Sequence, residues 1–418
     1  MAKLKDKKNS STTNQRAETI QDIYGQGEVM RVPTRALNWV AVIIIALVLG
    51  VVGGYLGGWL QTIWQPTWLL SNAPVVNEPT DGVNIIDLGK EQNKLRESFD
   101  QLTLNNLSAQ TVAIYRSRPR NSEQPLQGVL TDKDLAGQGI IITSDGWIIS
   151  HDGVIKDVEA DYLVITTDRQ GLAVEQIIAD DFTGLVFIKV AGQNLRPAVL
   201  KPASTVSAQQ GLMIVRQTLQ PHEPALHFTR LSQWDYKPLR EADDYFHSTE
   251  KLDSWLRLSS VVEATFNGSP IATAEGDIVG LLRAEAGESL GIPGFYLQLA
   301  VSNFLSNRQE PVYNRFGISY LDLAEVVGLP PQLLREQGGG ALIYAPGSQK
   351  AVIANSPAAK SNLQKGDIIL AVDDQMLNAS VSLMRVLQEY PLGSTVKMKV
   401  LKTGQTEPEE IIVILSTK

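Results

Sequence analysis

The chain has 418 residues, enough for two or three domains of about 100–200 residues each. Apolar residues make up 43% of it and charged residues 20%, a composition typical of a protein that buries a core. The net charge of -8 argues against nucleic acid as the main partner, and the absence of cysteine excludes disulfides and thiolate metal sites. No residue pattern indicates a cofactor or a metal ion, and we expect neither.

A long apolar segment lies near the N-terminus. Residues 36–77 contain no charged side chain, and Leu37–Leu60 within them is almost wholly apolar. Because about 20 helical residues cross a ~30 Å hydrocarbon layer, we expect a single transmembrane helix over residues 36–60. The first 35 residues carry seven basic and four acidic side chains, which places the N-terminus in the cytoplasm and the main body outside. The alternative is a cleaved signal peptide, but its apolar run would be only about 7–15 residues long.

The segments around this helix differ in composition. Residues 1–35 are polar and predict a disordered cytoplasmic tail. Residues 61–104 predict a linker that contains several prolines, followed by a helix near Ile86–Leu107. Residues 105–305 contain short apolar runs separated by turn signals, which predict an all-β barrel or sandwich. The stretch 226–258 interrupts that pattern and predicts an inserted loop or a helical excursion.

The end of this region and the C-terminal part of the chain give further predictions. Phe295–Ala300 (FYLQLA) is interpreted as one more strand. Residues 310–418 predict a separate unit of four strands with helices around Ala358–Leu363 and Ser380–Tyr390. We expect this combination of strands and helices to form an α+β domain.

Three motifs follow one another in the middle of the chain. Gly137–Ser150 reads GQGIIITSDGWIIS, Asp180–Val190 reads DDFTGLVFIKV, and Phe266–Ile271 (FNGSPI) precedes Ile278–Leu281 (IVGL). In this order they resemble the trypsin-like serine proteases of the HtrA/Deg type. The resemblance implies a chymotrypsin-like double β-barrel.

The same comparison indicates that the catalytic side chains of the family are replaced. The family's His falls on Gly153, its Asp on Gly184 and its Ser on Asn267. Glycine has no side chain to accept or orient a proton, and an amide does not replace the serine hydroxyl as a nucleophile. Thr265 stands where the family has a glycine in its oxyanion loop. We therefore expect a catalytically degenerate member, with no catalytic residue at these positions.

An active serine endopeptidase with a rearranged triad is the alternative. Its base would be His151 and its nucleophile Ser269, each two residues from the family's position. Such a shift moves an atom by ~6–7 Å along a strand, whereas base and nucleophile must lie about 2.6–3.2 Å apart. Asp180 and Asp181 are the local candidates for the acid that Gly184 lacks.

The C-terminal unit has its own motifs. Leu363–Val372 reads LQKGDIILAV, Ser356–Ala359 reads SPAA and Arg315–Ile318 reads RFGI, all similar to the PDZ domain that follows the barrels in this family. Such a domain implies that a C-terminal peptide adds as a strand beside a groove, with its carboxylate held by loop N–H groups. The residues that we predict to bind the peptide are Arg315, Phe316, Gly317, Ile318, Leu383, Met384 and Leu387.

The leading hypothesis is a membrane-anchored pseudoprotease that binds protein C-terminal peptides or unfolded envelope proteins. It would act as a scaffold or regulator in envelope protein quality control. The resemblance implies a homotrimer, or assembly with an active relative. A purely structural envelope protein without a peptide ligand is a further alternative.

The charge asymmetry around Leu37–Leu60 predicts the topology. Protease added outside intact spheroplasts should digest the large domain and leave the lysine-rich N-terminus protected. Immunoblots of epitope tags at Met1 and Lys418 measure this. A shielded tag at Lys418 with an accessible tag at Met1 would contradict the orientation, and a soluble, shortened product would indicate signal cleavage.

Overall fold

The computed structural model describes residues 96–418 apart from 98, 119–122, 124, 203–205, 220–223, 240, 253, 286, 331–338 and 418. The predicted tail over 1–35 and the predicted transmembrane helix over 36–60 lie outside the described residues, as does the predicted linker. Across the part that is described, no helix is both long enough and apolar enough to cross a bilayer.

A short helix leads into the barrels. Helix α1 (Gln101–Gln110) begins at Asp100, whose carboxylate accepts a hydrogen bond from the N–H of Thr103 at 2.6 Å. This cap satisfies one of the free N–H groups of the first turn. Leu104 and Leu107 of the helix are buried in the largest core cluster, so α1 packs on the barrels.

Six antiparallel strands close the first barrel in the order β1-β2-β3-β6-β5-β4. They are β1 (Thr111–Arg116), β2 (Leu135–Ile141), β3 (Trp147–His151), β4 (Tyr162–Ile165), β5 (Gly171–Ala179) and β6 (Leu185–Val190). Ile148 belongs to the core cluster inside this barrel, whereas Ile149 packs into the cluster that the barrel shares with its surroundings. Burial on both faces explains why the sequence shows continuous apolar runs instead of alternation.

The second barrel also has six strands, in the order β10-β13-β12-β11-β7-β8. The strands in this part of the chain are β7 (Gly211–Arg216), β8 (Ala225–Tyr236), β9 (Phe246–Ser248), β10 (Trp255–Leu258), β11 (Pro270–Ala272), β12 (Ile278–Glu285) and β13 (Glu288–Pro293). The prediction of a loop or helical excursion over 226–258 is therefore wrong, since β8, β9 and β10 occupy much of it. Charged and aromatic residues obscured these strands because they pack on each other, as Arg257 does over the Tyr236 ring at 4.6 Å.

The predicted strand at Phe295–Ala300 is also wrong. These residues lie in helix α2 (Gly294–Asn307), which follows β13 directly. Leu297, Ala300 and Phe304 are fully buried, and their spacing of three and four residues is that of one helix face. A six-residue apolar run does not distinguish this face from a buried strand.

The C-terminal domain is a mixed α+β unit, as predicted. Its strands are β14 (Asn314–Arg315), β15 (Ser319–Asp322), β16 (Ala341–Ile343), β17 (Ile368–Val372), β18 (Gln375–Met376), β19 (Thr395–Leu401), β20 (Glu409–Ile414) and β21 (Ser416–Thr417). Its helices are α3 (Pro357–Lys360) and α4 (Leu383–Glu389). The main sheet has the order β20-β19-β17-β16-β15-β9, so its last strand comes from the barrel region.

We predict that Phe304→Ala destabilises the barrels strongly. The Phe304 ring stacks on Phe187 with 4.1 Å between centroids and meets Trp147 edge-on at 4.6 Å. The cavity left by truncation should lower the free energy of unfolding by about 3–5 kcal/mol. Urea unfolding of the full chain in detergent, followed by tryptophan fluorescence, measures this.

Leu305→Ala is the matched control, since this neighbouring side chain of α2 is 39% exposed. It should change the free energy of unfolding by only about 0.5 kcal/mol. Equal losses for the two variants would contradict the helix face assigned here.

Candidate functional site

An open cleft of about 400 Å³ lies between the two barrels. Gly153, from the turn after β3, and Asn267, from the turn before β11, both line it, together with Thr265. The cleft therefore brings together two of the three positions that the resemblance equates with the triad. Neither His151 nor Ser269 is among its lining residues.

The Asn267 side chain is bonded to the backbone of β12. Its Oδ1 accepts a hydrogen bond from the N–H of Ala284 at 2.6 Å, and its Nδ2 donates to the carbonyl of Ala284 at 3.3 Å. The amide thus pairs with the strand as another peptide group would. Gly268 fixes the turn behind it, since φ is +82° there and a Cβ would lie 2.1 Å from the carbonyl oxygen of Gln138.

The backbone N–H of Asn267 is also used internally. It donates to the carbonyl of Ala264 at 3.0 Å and closes the one-turn 3-10 helix Ala264–Phe266. An oxyanion hole needs N–H groups that point at the substrate oxygen. In this conformation the N–H of residue 267 points back into its own turn.

His151 lies at the end of β3, and its ring fills the space beside Gly153. A Cβ on residue 153 would lie 2.7 Å from Cε1 and 2.9 Å from Nδ1 of that ring. The N–H of Gly153 donates to Nδ1 at 3.0 Å. Because a neutral imidazole has one proton, this bond assigns the proton to Nε2. Burial lowers the pKa of His151, which favours the neutral ring.

This arrangement is the reverse of what a serine-protease base requires. Such a base keeps its proton on Nδ1, where a carboxylate holds it, and accepts the serine proton at Nε2. The carboxylate of Asp152 is 3.7 Å from Nδ1 of His151 and forms an ion pair with Arg283 at 2.6 Å. Asp152 is the acid near this ring and was not among the predicted residues, although its position next to His151 in the chain was a usable signal.

Ser269 does not meet His151. Its side chain is fully buried, and its Oγ has no hydrogen-bond partner among the described residues. The Nε2 of His151 is likewise buried without a partner there. The structure therefore does not bring the two residues of the rearranged triad into contact.

Gly184, the third position that the resemblance equates with the triad, adopts a backbone conformation that suits glycine. Its φ is +72°, in the left-handed region that side chains with a Cβ rarely occupy. A Cβ there would lie 3.3 Å from the Arg283 guanidinium and 3.5 Å from the Asp152 carboxylate. An aspartate at this position would thus be strained and would stand next to a second carboxylate.

Asp180, one of the candidate replacement acids, has another role. Its buried carboxylate accepts hydrogen bonds from the hydroxyls of Thr183 and Tyr313 and, at 3.0 Å, from the N–H of Phe182. Burial raises the pKa of Asp180. Tyr313 lies just before β14, so Asp180 ties the first barrel to the start of the C-terminal domain.

The apolar side chains predicted to line the peptide groove are buried. Phe316, Ile318, Leu383 and Leu387 belong to the core cluster of the C-terminal domain. Met384 is also fully buried, but in the barrel cluster that contains Phe182 and Leu252. None of these five offers a surface to a ligand in this conformation. The sequence pattern indicates the apolar face of α4 but does not show whether a ligand, the C-terminal domain or the barrels cover it.

The loop Arg315–Ile318, predicted to bind a ligand carboxylate and called the carboxylate loop below, binds the carboxylate of Glu250. The N–H of Gly317 donates to Glu250 Oε1 at 2.8 Å, and Nη1 of Arg315 donates to the Glu250 carbonyl at 2.7 Å. The N–H groups of Gly317 and Ile318 each donate to Oγ1 of Thr249 at 3.1 Å. The donors of the loop are therefore engaged by residues from the barrel region.

We predict that Asn267→Ala destabilises the second barrel. Loss of the two bonds to Ala284 should lower the free energy of unfolding by about 1–3 kcal/mol. Asn307→Ala is the control: its exposed amide at the end of α2 accepts one hydrogen bond, from the N–H of Gln309 at 3.0 Å, which water can replace, and its loss should cost about 0.5 kcal/mol or less. Urea unfolding of the full chain checks both. No loss for Asn267→Ala would contradict the pairing with β12.

Comparisons with known proteins agree with this architecture. Residues 332–413 match the family described as PDZ domain. A probable periplasmic serine endoprotease DegP-like of Pseudomonas putida is 21% identical over 309 residues, which cover 71% of this chain and 60% of the relative. A protein of the same name from Halomonas elongata is 22% identical over 293 residues, 67% of this chain and 56% of the relative. The chain thus spans 60% or less of the length of these relatives.

Solved structures share the fold. The HtrA-type protease AlgW with a tripeptide matches with a TM-score of 0.56, and AlgW with a decapeptide with 0.55, both at 16% identity. The matches cover 76% of this chain and 96% and 98% of the respective structures. In its two barrels and its PDZ domain, the chain is thus similar to the HtrA/DegP-type serine proteases that carry a PDZ domain.

Proposed function

We propose that this chain is a catalytically silent HtrA-type protein that binds protein chains without cleaving them. The cleft between the barrels carries the proposal, because Gly153 and Asn267 line it where a base and a nucleophile would be needed. His151 and Ser269 are buried and not bonded to each other. Catalysis by a triad requires its members in hydrogen-bond contact.

The binding part of the proposal rests on the PDZ domain. Domains of this kind add an extended peptide to a sheet edge and capture a terminal carboxylate with backbone N–H groups. The AlgW structures with a tripeptide and a decapeptide support peptide binding by a related fold. The ligands in this proposal are C-terminal peptides or unfolded envelope proteins, and the role is that of a scaffold or regulator of envelope protein quality control.

The proposal places this scaffold at a membrane surface. The apolar stretch Leu37–Leu60 would anchor the chain, with the barrels and the PDZ domain on the outer side. The curated relatives are named as periplasmic proteins, which supports that side for the main body. A homotrimer, or assembly with an active relative, completes the proposal.

Activity measurements on the full chain test the silent cleft. In detergent it should leave casein intact and should not react with a fluorophosphonate, which labels only an activated serine. Asn267→Ser should be equally inactive, because one member of a triad does not act alone. An active DegP-like endoprotease treated in parallel shows that the conditions support proteolysis.

Substitutions separate the alternatives. Hydrolysis or labelling that disappears in both His151→Ala and Ser269→Ala would contradict the proposal and identify an endopeptidase with a rearranged triad. Hydrolysis that survives both substitutions and stays with the chain through a second purification would also contradict the proposal. A silent chain that binds no C-terminal peptide would favour the purely structural role.

A further inference from the structure

The peptide edge of the PDZ sheet is occupied by the chain itself. Strand β9 pairs antiparallel with β15, with Ser248 opposite Ser319 and His247 opposite Tyr320. The other edge of β15 pairs with β16, so β9 takes the free edge to which a ligand strand would add. Because the pairing is antiparallel, the segment runs toward the carboxylate loop, as a bound C-terminus does.

The bonds at the end of the segment match those of a bound C-terminus. The N–H of Thr249 donates to the carbonyl of Ile318 at 3.0 Å, which continues the ladder by one residue. The N–H groups of Gly317 and Ile318 donate to Thr249 Oγ1, and that of Gly317 also donates to the Glu250 carboxylate. In a bound peptide, a terminal carboxylate would accept these bonds. Thr249 therefore stands in the position of a ligand's last residue, and Glu250 supplies the charge.

Other contacts hold the segment in place. Nε2 of His247 lies 2.9 Å from a carboxylate oxygen of Glu325, whose other oxygen is paired with Lys237. The side chains of His247 and Lys237 are only 5% and 6% exposed, so salt screens the Lys237–Glu325 ion pair poorly and little water reaches the contact between His247 and Glu325. The guanidinium of Arg385 lies over the Trp234 ring of β8, 5.7 Å from its centroid, and so packs α4 against the second barrel.

We propose that Phe246–Glu250 is an internal ligand of the PDZ groove, and that free protein C-termini resembling Phe246–Thr249 bind by displacing it. The inference rests on the proposed peptide binding and specifies its ligand as an aromatic residue followed by small or polar residues that end in a hydroxyl-bearing one. The internal segment is always present at high effective concentration, so it lowers the apparent affinity for an external peptide.

Weakening the segment should open the groove. The probe is a fluorescent peptide with the sequence of residues 243–249 and a free carboxylate, with its C-terminal amide as control. Thr249→Val combined with Glu250→Ala removes the acceptors that the loop donors bind. The full-length double variant should bind the acid probe about tenfold or more tightly than the wild type, as loss of one charge-assisted hydrogen bond implies. Fluorescence anisotropy measures both affinities.

Asp243→Ala is the matched control. It removes one exposed carboxylate from the same stretch of chain, away from the PDZ loop, and should bind the probe as the wild type does. Urea unfolding of each variant shows whether it is folded. The amide probe should bind weakly to every variant, because it lacks the charge that the loop holds.

A disulfide lock tests the displacement directly. Ser319 turns its N–H toward Ala351 and its carbonyl toward Tyr344, away from β9. In such antiparallel pairs the facing Cα atoms lie about 4.5 Å apart, within the range of a disulfide. The natural chain has no cysteine, so Ser248→Cys with Ser319→Cys forms only this bond. The oxidised protein should lose acid-probe binding, and reduction should restore it.

The outcomes separate this inference from the proposed function. One possible result is that the wild type, the double variant and the oxidised disulfide variant all bind the acid probe with equal affinity. That result would contradict the inference that Phe246–Glu250 occupies the groove, and it would leave the proposal of peptide binding intact. Failure of the double variant to bind the probe would also overturn it, since an emptied groove must accept the sequence that it held. A C-terminal peptide library on the double variant then decides the function itself. A peptide motif that binds as the free acid but not as the amide would support the proposal of peptide binding.

Discussion

The pairing of β9 with β15 is the contact on which the arrangement of this protein depends. It makes a strand from the barrel region the edge of the PDZ sheet. Tyr313 and Met384, from the C-terminal domain, are buried in the same cluster as the barrel residues. The barrel core therefore extends to two side chains of the C-terminal domain, which otherwise has a core of its own. A ligand that removes β9 from the sheet must also disturb the turns that connect it to β8 and β10.

A common principle links the cleft and the groove. In both places, groups that a related fold could offer to a substrate are bonded within the chain. The N–H of Asn267 binds the carbonyl of Ala264, its side chain binds Ala284, and the N–H of Gly317 binds Glu250. A buried donor without a partner costs about 1–3 kcal/mol, so internal partners stabilise the state that has no substrate. In our proposals the two sites differ in reversibility, because a ligand displaces β9 from the groove whereas Asn267 has no hydroxyl to offer in the cleft.

Much of the fold follows from local sequence. The runs LVFIKV and TVKMKVL, rich in apolar and β-branched residues, coincide with β6 (Leu185–Val190) and β19 (Thr395–Leu401). The order of the motifs along the chain predicts that the barrels precede the PDZ domain. Ser356 caps α3 through its hydroxyl, as the motif there predicts.

The remaining features depend on distant contacts. Helix α2 was mistaken for a strand because consecutive apolar residues fit either period over six positions. Strand β9 has three residues, and its partners lie 71–75 residues further along the chain (Ser319 for Ser248, Leu321 for Phe246), so no local pattern predicts it. Glu250 resembles any surface carboxylate in the sequence, and only the loop at Gly317 gives it a role. Likewise, the orientation of His151 depends on the space that Gly153 leaves open.

Residue-resolved hydrogen exchange of the Gly317 and Ile318 amides, in the full chain without any peptide, is the most direct test of internal occupation. Both N–H groups are bonded to residues 249 and 250 rather than to solvent. We expect both amides to exchange as slowly as the amides of β17 in the centre of the sheet. Exchange as fast as that of the exposed residues after α2 would contradict it, because the groove would then be open in the resting protein.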